Sequence, residues 1–118
     1  MPYIGILKKL VDATPQSIGA ILVDWEGEAV QEYCHCDPYD IRFVAAHKGI
    51  ILARLKELHN SGRVGAVEEV IITSTDSHLI IGCIDQDYSL VLSTSRDCSR
   101  GIALKNFREA IAELKKEF

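Results

Sequence analysis

The stretch SIGAILVDWEGEAVQEYC, residues 17 to 34, changes character half-way along. In its first part both alternating sets are apolar, with Ile18, Ala20 and Leu22 on one and Gly19, Ile21 and Val23 on the other. Successive side chains of a strand point to opposite faces, so such a run has to be covered on both sides and belongs inside a sheet. The WEGE that follows holds Gly27, the residue most tolerant of positive φ, and EAVQEYC then alternates well enough for a second, more exposed strand. Together they predict a hairpin.

Working outward, Ile4, Leu7, Leu10 and Val11 recur at helical spacing before Pro15, which predicts a first helix over residues 3 to 14 with Lys8, Lys9 and Asp12 on its other side. On the far side of the hairpin, Asp37-Pro38-Tyr39-Asp40 combines a capping residue, a proline at the first helical position and an acid three residues after the cap. A long helix is expected from about 38 to 60, with Gly62 beyond its end. Ile41, Val44, Ala45, Ile51, Leu52, Leu55 and Leu58 form a wide apolar stripe on it, which should face the sheet. Phe43, Ala46, Ile50 and Ala53 form a second stripe, set apart by Arg42, Gly49 and Lys56 on one side and His47 and Arg54 on the other. One compact domain has no internal use for both.

Beyond Gly62 and Gly65 come three strand-like runs, VEEVIITST, HLIIGCI and YSLVLST, whose short polar links favour antiparallel neighbours. The last segment repeats Leu104, Phe107, Ile111, Leu114 and Phe118 in steps of three and four, as an amphipathic helix does. The order is α-β-β-α-β-β-β-α in a single domain spanning residues 1 to 118, without linker, internal repeat or low-complexity segment.

Composition narrows the function. The chain is 47% apolar and 25% charged, with 17 acidic against 13 basic residues, as in an ordinary soluble globular protein. A net charge of -4 without a Lys/Arg cluster gives no field for nucleic acid. Runs such as IGAILV and GIILA are far shorter than the roughly 20 residues a membrane span needs. The N-terminal sequence does not read as a secretory leader, so a cytoplasmic protein with reduced cysteines is the expectation.

Cys34-His35-Cys36-Asp37 is the most conspicuous chemical feature, a potential zinc donor set together with Cys83 or Cys98. Neighbouring strand residues point to opposite faces, however, and no C-x-x-C pair is present to close a tetrahedral site, so no metal is expected. Cys83, within LIIGCI, reads as core. His35, His47, His59 and His78 are scattered with no motif around them and read as solvated, which leaves no base for a nucleophile. Gly62 and Gly65 in NSGRVG lack the Lys-Ser/Thr of a phosphate-binding loop. Arg100, ahead of Gly101, reads as a surface residue, while Trp25 and Tyr39 are aromatic contact candidates. The expectation is a protein that is not an enzyme and carries no cofactor.

GAILVDWEGEAV (19 to 30) resembles the strand, D-x-x-G turn and second strand of the roadblock / dynein light chain family, including its bacterial MglB-type members. SRGIALKNFREAIAEL (99 to 114) is similar to that family's Gly-led final helix, and IITSTDSHLIIGCIDQDYSLVLST to its three-strand meander. The resemblance implies an α/β (α+β) fold, a five-stranded antiparallel sheet with one long helix on one face and two terminal helices on the other. It also implies a homodimer in which the third strand and the long helix meet their symmetry mates, and a Ras-like small GTPase as partner, whose GTP hydrolysis the dimer can modulate. Phe43, Ala46, Ile50 and Ala53 would be the seam, with Arg42, Arg54 and Glu57 as polar contacts and Val70 and Ile72 on the strand. An uncovered VEEVIITST would be a template for pairing, unless Glu68 and Glu69 block it. Two other readings stand beside this one. One is a small-molecule sensor or general protein-interaction domain of profilin-like architecture, whose mark would be a cavity between helix and sheet. The other is a metal-dependent enzyme built on Cys34 and His35.

Overall fold

The computed structural model describes residues 3–24, 26, 28–37, 40, 41, 54, 57–63 and 65–118. Helix α1 (Tyr3–Ala13) leads into the hairpin β1 (Ser17–Val23) and β2 (Ala29–Cys34). After the middle segment follow β3 (Glu69–Thr73), β4 (Ser77–Cys83), β5 (Ser89–Ser95) and helix α2 (Arg100–Lys115). All pairings are antiparallel and the sheet order is β2-β1-β5-β4-β3. In the middle segment Asp40, Ile41, Arg54 and residues 57 to 60 take helical backbone.

The doubly apolar β1 lies inside the sheet, between β2 and β5, and is buried from Gly19 to Val23. Its two side-chain sets feed two separate cores. Ala20 and Leu22 join Leu7, Leu10, Val11, Ile80, Leu90, Leu92, Phe107 and Leu114 beneath α1 and α2. Ile21 and Val23 join Ile81, Val91 and Ile41 on the opposite face. Ile41 therefore brings the start of the middle helix onto the side away from the terminal helices. The outcome is the five-stranded α+β arrangement with helices on both faces.

Local chemistry explains the joints. The Asp24 carboxylate accepts the backbone N–H groups of Glu26 and Glu28 at 2.9 and 3.0 Å, so the acid of the D-x-x-G turn is what closes the hairpin. Ser99 caps α2, its hydroxyl accepting the Ile102 N–H at 3.4 Å. Asn106 of α2 donates to the Ala13 carbonyl and to the Thr14 hydroxyl, both at 3.1 Å, and thereby satisfies the end of α1. Lys9 and Glu113 add an exposed ion pair at 2.8 Å between the same helices.

Three expectations change. Leu58, placed on the sheet-facing stripe, is 43% exposed. Residues 57 to 60 are all exposed, so the last turn runs beyond the apolar face it would have to cover. His78 is buried, at 5% exposure, because it shares a face of β4 with buried Ile80 and sits opposite buried Thr94, while Thr73 Oγ1 satisfies its Nδ1 at 2.9 Å. Cys83 is only half-buried, since it ends β4 at the rim of the sheet.

Two glycines of the sheet have close neighbours, Gly82 under α2 and Gly19 beside its cross-strand partner on β2. A Cβ on Gly82 would lie 2.5 Å from Cε2 of fully buried Phe107, and one on Gly19 would lie 2.4 Å from Cβ of Cys34. Phe107, fully buried, has no room to retreat. Gly82→Ala should therefore destabilise the fold by about 1–3 kcal/mol, the usual range for overpacking, and urea unfolding should show a lower midpoint at unchanged slope.

Candidate functional site

The outer strand β3 is one of the sheet's two edges. Cys83 N–H donates to the Glu68 carbonyl at 2.9 Å and Ser74 N–H to that of Ser77, also at 2.9 Å. These bonds fix the phase of the β3–β4 ladder: the backbone groups of 68, 70, 72 and 74 turn toward β4, and those of Glu69, Ile71 and Thr73 turn outward. At the centre of this row Ile71 is 40% exposed, on the face of the terminal helices. Val70 and Ile72 turn the other way and pack, half-buried, against the second core.

The second edge, β2, differs in chemistry. Its middle is Gln31-Glu32, whereas β3 carries Val70-Ile71-Ile72 there. Charge in the middle of an edge strand discourages pairing with another chain, and β3 has none at that point. Glu69, read as a possible block, does not project from the edge. Arg108 of α2 grips its carboxylate with two nitrogens, Nε at 3.2 Å and Nη2 on the other oxygen. That hydrogen bond, opposed by partial burial and reinforced by the guanidinium charge, holds the Glu69 carboxyl below the usual carboxylate range.

Of the polar contacts expected on the middle helix, Arg54 and Glu57 form an exposed ion pair one turn apart, at 3.3 Å. Their side chains are 77% and 67% exposed, so the pair contributes little to stability and is free to re-partner. Arg42, Phe43, Ala46, Ile50 and Ala53 lie outside the described residues, as do Trp25 and Tyr39. Arg100 is exposed at the first position of α2.

The cysteine-rich turn is arranged around main-chain bonds. His35 N–H donates to the Ile18 carbonyl at 2.9 Å, the Cys34 thiol to the Cys36 carbonyl at 3.3 Å, and the Cys36 thiol to that of Asp37 at 3.4 Å. The His35 ring turns away to Asp12, with Nε2 3.7 Å from Oδ1, and toward the edge of Tyr33. Among the described residues no group of three His, Cys, Asp or Glu side chains could hold a metal ion. A surface hollow of about 160 Å³ lies between α2 and the β3–β4 end, lined by Glu68, Gly82, Phe107, Arg108, Ile111 and Lys115 among others. It is well below the ~300–1,000 Å³ of a small-molecule pocket. Among the described residues no helix is long and apolar enough to cross a membrane.

No protein-family model and no curated protein matches the chain. Solved structures do. MglB of Myxococcus xanthus is similar with a TM-score of 0.89 at 16% identity, over 100% of this chain and 95% of that one. The chain has the roadblock fold. A Roadblock/LC7 domain from Streptomyces avermitilis is similar with a TM-score of 0.85 at 14% identity, over 96% of this chain and 94% of that one. The gliding protein MglB of Thermus thermophilus gives 0.86 at 15%, over 97% and 86%.

Within this roadblock sheet the exposed edge residue is Ile71, which the sequence reading did not single out. The signal was present in EVIIT, which does not alternate: apolar residues at 70, 71 and 72 put one on each face in turn. The Glu69–Arg108 bridge was not legible, because its partners stand 39 positions apart.

That bridge makes a pH prediction. Glu69 has a lowered pKa in the folded state, so the stability it adds is present above the unfolded glutamate value of about 4.3 and is lost as pH falls through the lower folded value. Urea titrations should show Glu69→Gln less stable than the parent at pH 7, with the gap closing in acid. A gap independent of pH would mean that packing, not charge, gives Glu69 its role.

Proposed function

We propose that the protein is a non-enzymatic homodimer that binds a Ras-like small GTPase and regulates or scaffolds it. The observation that carries this reading is the likeness of nearly the whole chain to MglB and other roadblock domains. The resemblance of residues 19 to 30 and 99 to 114 to the family's motifs supports it from the sequence side. A cytoplasmic location goes with that class of partner.

The edge of β3 supports the dimer. Two copies pairing antiparallel about Ile71 would place Glu69 opposite the second copy's Thr73 and satisfy the outward row of donors and acceptors on both. On this reading Phe43, Ala46, Ile50 and Ala53 form the seam between the middle helices, flanked by Arg42, Arg54 and Glu57. Val70 and Ile72 contribute the part of their side chains that the second core leaves uncovered.

Light scattering at micromolar concentration should report about twice the chain mass, and Ile50→Asp should shift it toward monomer. The edge has its own test. The N–H of Ile71 points outward, so Ile71→Pro removes a pairing donor and leaves the β3–β4 ladder intact. This variant should be monomeric with unchanged far-ultraviolet circular dichroism, whereas Val70→Pro breaks a bond to β4 and should lower the unfolding midpoint. A monomeric parent protein would overturn the dimer.

The GTPase should bind more tightly when loaded with a GTP analogue than with GDP. The γ-phosphate orders the switch loops, and a partner biases only a state it contacts differently. Charge reversal at Arg54 or Glu57, the exposed pair, should weaken binding while leaving the dimer intact. Titration calorimetry with both nucleotide forms decides the matter. Equal affinities would reduce the role to scaffolding, and no binding to Ras-like GTPases of the same cell would overturn the reading.

A further inference from the structure

Glu69 is the one charged side chain within β3, whose sequence is EVIIT. It lies on the α2 face together with Ile71 and Thr73, and the backbone groups of these three residues are the ones that turn away from β4. A strand added along this edge meets all three. A bare carboxylate there would lose water on pairing without gaining a counter-charge, which is how a charge on an edge strand keeps another chain away. Here both of its oxygens are taken. Arg108 Nε donates to one at 3.2 Å and Nη2 to the other, from a helix 39 positions farther along the chain. Thr73, at the other end of the row, is satisfied in the same manner, its hydroxyl bonded to Nδ1 of buried His78 at 2.9 Å. Both polar ends are thus held by their own chain, and Ile71 stands between them, 40% exposed.

We propose that Arg108 is a specificity-determining residue for self-association: by holding the Glu69 carboxylate it makes β3 fit for pairing with β3 of a second copy. This deepens the dimer reading and rests on it. The occupant follows from the charges. With Glu69 neutralised from within its own chain, the edge calls for a neutral strand, and EVIIT held in this way is itself such a strand. In antiparallel pairing about Ile71 each Glu69 comes opposite the second copy's Thr73, whose hydroxyl already has its partner in His78. Neither needs anything from the other, and Ile71 meets its own mate. A strand bringing a cation to Glu69 would find the carboxylate occupied. The side chains of the bridge are 60% exposed at Arg108 and 30% at Glu69, and such a pair adds little to the fold of a single chain. Its weight falls on association. Pairing draws Glu69 out of water, where an uncompensated charge costs far more than it does at a wet surface.

Sedimentation of the full chain over a concentration series reads the dissociation constant of the dimer. Arg108→Ala places the best helix former at an exposed site of α2, so the variant should keep the far-ultraviolet circular dichroism of the parent. Its dissociation constant should rise on the order of a hundredfold, the scale set by stranding a charge in a contact. Adding Glu69→Gln to Arg108→Ala should bring the constant back close to the parent value, because a neutral amide needs no counter-charge. Should Arg108→Ala fail to fold, the exchanged charges carry the test: Glu69→Arg alone should be monomeric, and Glu69→Arg with Arg108→Glu dimeric. A dimeric parent whose dissociation constant Arg108→Ala leaves untouched would overturn the role of Arg108 and leave the dimer standing. A double variant as weakly associated as Arg108→Ala would overturn it too, since Arg108 would then act on the second copy or on the fold and not through Glu69. A monomeric parent would overturn the dimer reading, and this proposal with it.

Discussion

A sheet whose inner strands are apolar on both faces must be kept dry on both, and that requirement organises the molecule. From Gly19 to Val23 every residue of β1 is buried, and β5 and β4 continue the same condition across the sheet. Each buried side chain is worth roughly 1.5–3 kcal/mol when removed from water. Leaving either face bare would therefore forfeit more than the marginal net stability of a small domain. Two covers are needed, and the chain provides them by placing α1 and α2 on one face and the helical segment that begins near Ile41 on the other.

Close cover has a local consequence. Phe107 lies over Gly82, and Cys34 of the neighbouring strand stands beside Gly19, with no space for a methyl group at either, so these glycines serve as contact surfaces, not as hinges. Strands at the margin escape the double cover. Both β2 and β3 are partly exposed, and their sequences part them: β2 carries charge and amide at its centre, while β3 carries Ile71 beside a neutralised Glu69. An edge strand without a charge at its centre is unusual on a protein that stays alone. The edge of β3 is thus what the double-cover rule leaves over.

The electrostatics follow the same division. Glu69–Arg108 and Lys9–Glu113 tie α2 to the sheet and to α1 respectively, and so belong to the fold. Arg54–Glu57 lies within one helical turn of the middle segment. Exposed pairs of that kind set orientation and association rate more than affinity.

The sequence by itself determined the element order, the hairpin, the antiparallel meander and the two-sided burial of the sheet, because each is written in local periodicity and turn chemistry. SIGAILV reads as a doubly buried strand without knowledge of its neighbours, and Asp24 and Ser99 announce their turn and cap within four residues. Only the tertiary structure decided that β1 lies between β2 and β5, that Ile71 and not Val70 faces outward, and that Arg108 disarms Glu69. It also decided that His78, beside Thr73 and opposite Thr94, is buried, and that Leu58 is not. These depend on which residues, distant in the chain, come to share a face or an edge. Hydrophobic periodicity fixes the direction of a side chain relative to its own element, but what stands in that direction is set by packing.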